Sequence, residues 1–162
     1  MDAKPSAEHK LFDKDVGEWD AVVDVYAGPT PTSSKGKMTS RLTCGGLWLV
    51  SDYVADSGFS GHGMWTWDAA KKKYVGVWAD HVMSFLAPGE GTWDPATKTM
   101  TFWYEAKIGD KTVRWRQTTQ LVDENTQLFK SFMPESAGGP EDAPKEMMKV
   151  VYTRRRAPTT WS

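Results

Sequence analysis

Thr66-Trp-Asp-Ala-Ala-Lys-Lys-Lys-Tyr-Val-Gly-Val-Trp78 and Thr92-Trp-Asp-Pro-Ala-Thr-Lys-Thr-Met-Thr-Phe-Trp103 are nearly one phrase, begun 26 residues apart. In both copies Thr-Trp-Asp is followed by Ala two residues after the Asp and by Lys four after it. Each copy then continues into alternating apolar residues, the period of a strand with one buried face. The phrase reads as a repeated β-hairpin, with Asp starting the turn and Lys as its solvated exit.

Outward from this pair, similar strands fill nearly the whole chain. They are expected at 19–26, 37–44, 46–55, 59–67, 73–84, 86–93, 99–107, 112–122, 127–133 and 147–155. Turn signals separate them: Gly28-Pro29, Gly45-Gly46, Asp56-Ser57-Gly58, Pro88-Gly89, Asp94-Pro95, Gly109-Asp110 and Asp123-Glu124-Asn125. Before them, Ser6 to Val16 has an N-cap serine and then helix formers, and reads as one short helix ending at Gly17. The fold class is therefore all-β. About ten strands make too wide and twisted a sheet to stay open, so an antiparallel up-and-down barrel with a short N-terminal helix is expected. Residues 27–37 and 134–146 are rich in Pro, Gly and polar residues. The second stretch is long for a meander and is read as a lid over one end or as a plain loop.

Composition narrows the function classes. At 162 residues the chain forms one domain, 1–162. Lys and Arg (20) balance Asp and Glu (21), and the net charge of −1 offers no field to gather nucleic acid or an anionic membrane. Arg154-Arg155-Arg156 reads as a solubilising end to the last strand. No apolar stretch approaches the roughly 18 residues of a membrane span. With no apolar signal segment at the N-terminus and one cysteine, Cys44, a reduced cytoplasmic setting is predicted. Nine Trp are unusual, since Trp is bulky and wants a partner for its N–H. They pack a wide barrel or line a site that uses flat faces.

Several motifs carry a family resemblance. Gly17-Glu18-Trp19, just after the short helix, resembles the G-x-W of lipocalin-like (calycin) barrels. In such barrels the Trp plugs the base and an Arg from the last strand packs over it, and Arg154 is the matching residue. The chain is also similar along most of its length to the bacterial domain-of-unknown-function 1579 family. The matching stretches are His9-x-Leu11-Phe12, Gly17-x-Trp19, Gly45 to Leu49 with Tyr53, Gly61-x-Gly63, Asp68 with Lys72 to Val75, Trp78-x-Asp80, Gly91 to Asp94 with Lys98, Arg116-x-x-Thr119 and Tyr152-Thr-Arg154. The resemblance implies a fold; that family has no agreed activity. A more distant cousin, the haem-binding nitrobindin barrel, uses a proximal His near its C-terminus. The last His here is His81, and no cofactor is expected.

Register decides which side chains line the interior, because a slip of one residue exchanges the faces. Setting Trp67 opposite Tyr74 places Trp65 opposite Gly76, Gly63 opposite Trp78 and Gly61 opposite Asp80. The second copy puts Met100, Phe102 and Tyr104 on one face and Thr99, Thr101 and Glu105 on a solvated one. By symmetry Trp65, Tyr74, Trp78 and Asp80 are expected inside. Carried through the turn at 56–58, Phe59 pairs with Val54 and Gly61 with Asp52, which turns Trp48, Val50 and Asp52 inward. Trp115, Gln117 and Thr119 follow on strand 112–122. Asp52 and Asp80 would then flank Gly61 in one row, roughly 9–10 Å apart. His62 and His81 would be diagonal neighbours on the outer face, entering the cavity only if the register is off by one. No metal site is predicted, and no nucleophile motif is present.

The favoured function is binding of a small hydrophobic or aromatic molecule in a cavity lined by Trp48, Trp65, Trp78, Tyr104 and Trp115, with Asp52, Asp80 and Gln117 orienting it. The alternative is a cofactor-independent isomerase, cyclase, lyase or hydrolase. There Asp80 is the general base, Asp52 its partner acid and Tyr104 a proton donor. A third reading is an interaction module with outward Trp93 and Trp103 forming a homodimer face.

Overall fold

The computed structural model describes residues 3–132 and 145–156. Ser6 opens α1 (Ala7–Lys10), and a 3-10 turn, Leu11–Asp15, follows it. Ten strands then succeed one another: β1 (Gly17–Val25), β2 (Thr32–Thr43), β3 (Trp48–Ala55), β4 (Ser60–Asp68), β5 (Lys73–Asp80), β6 (Pro88–Asp94), β7 (Thr99–Ile108), β8 (Lys111–Asp123), β9 (Thr126–Phe132) and β10 (Glu146–Arg154). Each pairs antiparallel with its chain neighbours, and β1 pairs with β10, so the sheet is a closed barrel with no free edge.

Two expectations of element shape are corrected. The helix is a single α turn that tightens into the 3-10 turn, whose last carbonyls go to the barrel: Trp19 Nε1 donates to Asp15 O at 2.9 Å and Arg154 Nη2 donates to Lys14 O at 2.9 Å. The loop at 27–37 shrinks, since Thr32, Ser33 and Ser34 already pair with β1; their polar character hides the strand. The candidate lid, 134–146, falls almost wholly outside the described residues.

The repeated phrase forms the hairpins β4–β5 and β6–β7. Asp68 Oδ1 accepts the N–H groups of Ala70 and Lys71, each at 3.0 Å, and Asp94 Oδ1 accepts that of Ala96 at 2.9 Å. At the matching exits, Lys72 and Lys98 both take the left-handed conformation, φ +52. The shared spacing is therefore a shared turn, and it fixes the same register in both hairpins.

The N-terminal segment closes one end. Phe12 packs edge-on to Tyr74 at 5.4 Å, and the Tyr74 hydroxyl donates to Glu8 O at 3.0 Å. His9 is nearly buried: its Nδ1 accepts the Ser6 N–H at 3.0 Å, which makes it a satisfied structural histidine. Trp19 plugs the base with the Arg154 guanidinium 4.2 Å from its ring centroid, as the G-x-W resemblance implies. Arg154 also donates to the carbonyls of Val16 and Glu124. Gly17 is required here twice over: its φ is +130, and a Cβ would sit 2.9 Å from Arg154 Nη1.

Candidate functional site

The β4–β5 register is the one the turn predicts: Trp67 faces Tyr74, Trp65 faces Gly76, Gly63 faces Trp78 and Gly61 faces Asp80. On β7 and β8, Met100, Phe102 and Tyr104 point inward opposite Thr119, Gln117 and Trp115. These side chains form one aromatic wall. Trp65 stacks on Trp78 (6.4 Å, 24°), and its Nε1 donates to the Tyr104 hydroxyl at 3.2 Å. Tyr104 in turn stacks between Trp115 (5.8 Å, 18°) and Phe102 (5.6 Å, 24°).

The rings lie on glycine. A Cβ added at Gly61 would meet Trp78 at 2.2 Å, at Gly63 and Gly76 it would meet Trp65 at 2.1 and 2.0 Å, at Gly89 Tyr104 at 2.5 Å, and at Gly91 Phe102 at 2.5 Å. A strand glycine lets a neighbour approach its backbone closely, so four rings lie down against the sheet. Burial in this wall pushes the Tyr104 phenol up to about 12, because desolvation disfavours the charged form and the Trp65 hydrogen bond offsets this only in part.

The β3–β4 register differs from expectation by one residue. Ala55 N–H bonds to Phe59 O at 2.8 Å, closing a three-residue turn in which Gly58 takes φ +88. Tyr53 therefore faces Gly61, and Asp52 faces His62. Leu49, Ser51, Tyr53 and Ala55 point inward and are buried, while Trp48, Val50 and Asp52 point outward. The carboxylate row is broken. Asp52 lies on the outer surface, where it accepts from His62 Nδ1 at 2.5 Å and Arg41 Nη1 at 3.0 Å. The His62 hydrogen bond first, and Arg41 after it, hold its carboxyl below the usual carboxylate range.

Asp80 points inward at the far end of β5, where both its oxygens have donors: Trp78 Nε1–H at 2.9 Å and the Val82 N–H at 2.9 Å. The histidines do not meet. His62 stays with Asp52, and His81 Nδ1 accepts the Ser60 N–H at 2.9 Å beside the Phe59 ring. Among the described residues, no three or more His, Cys, Asp or Glu side chains gather as a metal site would need. Trp93 is also corrected: it pairs with Met100 and packs inward, as Trp67 does in the first copy. Trp103 alone of that pair is outward, with Arg114 4.3 Å from its ring. Trp48 lines a cleft of about 790 Å³ beside His9 and Lys72, outside the barrel interior.

The opposite wall, from β9 through β10 and β1 to β3, carries inward Phe129, Ser131, Val150, Tyr152, Ala21, Val23, Met38 and Tyr53. The sequence reading did not reach Tyr53, Ser131 or Tyr152 as site residues. The alternation on β10 was the available signal, together with a correct count through the turn at 56–58.

A closed, laddered barrel shields its mid-strand interior from outside water. Yet Trp78, Trp115, Gln117, Phe129 and Tyr152 point inward and keep accessible surface. β5 and β6 pair only over Tyr74–Val77 and Pro88–Gly91, so Trp78 to Asp80 have no β6 partner and the wall is thin there. Val82 and Leu86 stand exposed beside this gap.

These features define a closed ten-stranded barrel of the lipocalin-like kind, its base plugged by Trp19 and Arg154 and its interior lined with rings. The chain belongs to the family described as "Protein of unknown function (DUF1579)", whose model matches residues 4–154. No curated protein matches it significantly. Among solved structures it is similar to Rv2717c from M. tuberculosis, at 12% identity and a TM-score of 0.66 over 93% of this chain and 99% of that one. A redesigned β-barrel also matches, at 12% identity and a TM-score of 0.47 over 95% of this chain and 100% of that one. At such identity the likeness to Rv2717c speaks for the fold. Among the described residues no helix is long and apolar enough to cross a membrane.

Proposed function

We propose that this barrel binds a small hydrophobic or aromatic molecule in its lumen, against Trp65, Trp78, Tyr104 and Trp115, with Gln117 as an orienting group. The observation that carries the reading is the accessible surface on inward, mid-strand aromatic side chains of a closed barrel. Rings pressed onto glycine turn their free faces to the lumen, and a flat apolar molecule can stack there. Gln117 supports the reading too: its amide has no hydrogen-bond partner among the described residues. The thin wall between β5 and β6, with Val82 and Leu86 exposed at its edge, offers an apolar way in.

The paired-carboxylate enzyme is not carried forward, because Asp52 is outside the barrel and Asp80 is spent on Trp78 and Val82. Binding is tested by titrating the protein with naphthalene and following tryptophan fluorescence, alongside native mass spectrometry of fresh protein. Saturable quenching at one molecule per chain, weakened at least tenfold in Trp115→Ala with the fold intact, is the expected result. An unresponsive wild type that also carries no co-purified molecule would mean that the rings are only core.

A further inference from the structure

The wall facing the rings carries a feature that the stacking reading does not use. Gly36, Ala21 and Tyr152 stand in one cross-strand row, Gly36 opposite Ala21 on β1 and Ala21 opposite Tyr152 on β10. Gly36 and Tyr152 backbones are thus roughly 10 Å apart, with only glycine and alanine between them. Tyr53 reaches into the same gap from β3: a Cβ at Gly36 would lie 2.3 Å from its hydroxyl oxygen. Two phenols therefore converge over a floor of the two smallest residues. Both pack into one apolar cluster with Val150, Val23 and Met38.

Neither hydroxyl has a hydrogen-bond partner among the described residues. Among the described residues, Arg116 Nε and Ser131 Oγ are the buried side-chain polar atoms without a partner, and neither phenol oxygen is one of them; Tyr152 keeps accessible surface, while Tyr53 is buried. Desolvation pushes both phenols up, and Tyr152 also feels Tyr53, which places the two groups in electrostatic reach of each other. Each therefore stays protonated, able to donate one hydrogen bond and accept others.

The charges around the lumen complete the picture. Arg154 is committed to three carbonyls and the Trp19 ring at the base. Asp80 is the inward carboxylate on β5, so the field beside Trp78 is negative. No Lys or His of the described strands stands at an inward position of the lumen to neutralise an anion.

Resting on the lumen reading above, we infer that the ligand is a neutral, planar ring compound bearing a hydroxyl or carbonyl oxygen, its ring stacked on the Trp65–Trp115 wall and its oxygen held by Tyr53 and Tyr152. One phenol can donate to a carbonyl or hydroxyl oxygen while the second donates as well or accepts the ligand's proton. A carboxylate would leave its charge unpaired beside Asp80, which is costly in an apolar lumen.

Three probes and three variants test this near neutral pH: naphthalene, 2-naphthol and 2-naphthoate, each titrated into wild type, Tyr53→Phe, Tyr152→Phe and the double variant. The expected result is 2-naphthol binding about tenfold more tightly than naphthalene, the worth of one or two net hydrogen bonds. 2-Naphthoate should bind at least tenfold more weakly than 2-naphthol. The double variant should lose the preference for the alcohol and keep naphthalene affinity within about twofold. Since neither hydroxyl bonds to protein, both single variants should fold and each should lose part of the preference. If naphthalene binds but the alcohol gains nothing, or the variants keep the gain, the phenol pair is not the anchor. If 2-naphthoate binds most tightly, the neutral-ligand inference falls. If none of the three binds, it is the lumen reading that fails.

Discussion

Across β4 to β7 the barrel interior is lined by large rings lying flat on glycine, whereas from β9 round to β3 small residues such as Ala21, Gly36 and Ser131 stand among the rings of Phe129, Tyr152 and Tyr53. In the first wall two of the indole N–H groups are held locally: that of Trp65 by Tyr104, and that of Trp78 by Asp80. In the second wall the hydroxyls are not held: those of Tyr53, Tyr152 and Ser131 have no partner among the described residues. The difference teaches how such a barrel divides labour. Glycine lowers the sheet surface so that rings can tile it and seal it. The facing wall keeps phenol hydroxyls without a protein partner, and a buried serine hydroxyl that nothing satisfies.

The comparison can be broken at the glycines. Gly76→Ala should be the most damaging small change, because its Cβ would stand 2.0 Å from Trp65 Cδ1 and 2.6 Å from the Met64 carbonyl, and the backbone cannot yield cheaply. Denaturant unfolding should show a loss of about 2–3 kcal/mol, as overpacking costs. A loss below about 0.5 kcal/mol would mean that the ring does not rest where the wall requires it.

Alkaline pH probes the same wall. Burial raises Tyr74 and Tyr104 from 10 to about 12. For a raised pKa, the stabilisation is complete below the unfolded value and is lost as pH climbs through the folded one. Stability should therefore fall between pH 10 and about 12, and absorbance titration should show these phenols ionising later than tyrosine in unfolded protein. Titration of every tyrosine near 10 would contradict the packing.

Removing single hydroxyls sharpens the contrast between walls. Tyr104→Phe strands the Trp65 N–H and should cost about 1–2 kcal/mol, whereas Tyr152→Phe strands nothing and should change stability by no more than about 0.5 kcal/mol. Equal costs for the two would erase the distinction drawn here. The smallest effect is expected at Ser131, whose buried Oγ lacks a partner. Ser131→Ala should be neutral or stabilising by up to about 1 kcal/mol, read as a higher denaturation midpoint.

Much of this was legible in the chain. The repeated Asp-x-Ala-x-Lys turn set two registers, and with them the inward places of Trp65, Trp78, Asp80, Tyr104, Trp115 and Gln117. Gly17, Trp19 and Arg154 announced the base plug. Where the chain was silent, the reason was local. The turn at 56–58 holds three residues because Gly58 takes the left-handed conformation, and nothing in Asp56-Ser57-Gly58-Phe59 distinguishes three residues from four. That single count turns Asp52 and Trp48 to the outer face and Tyr53 to the inner one. Trp93 turns inward because the Asp94–Thr99 pairing, one step back, sets it opposite Met100.

By itself, then, the sequence determined the all-β class, the strand order, the plugged base and the faces of the strands joined by its repeated turn, because periodicity and turn chemistry are local properties. Only the tertiary structure decided which polar groups share the barrel interior. Tyr53 and Tyr152, 99 positions apart, join one cluster because β1 closes onto β10 and Tyr53 lies over Gly36, which no local pattern encodes.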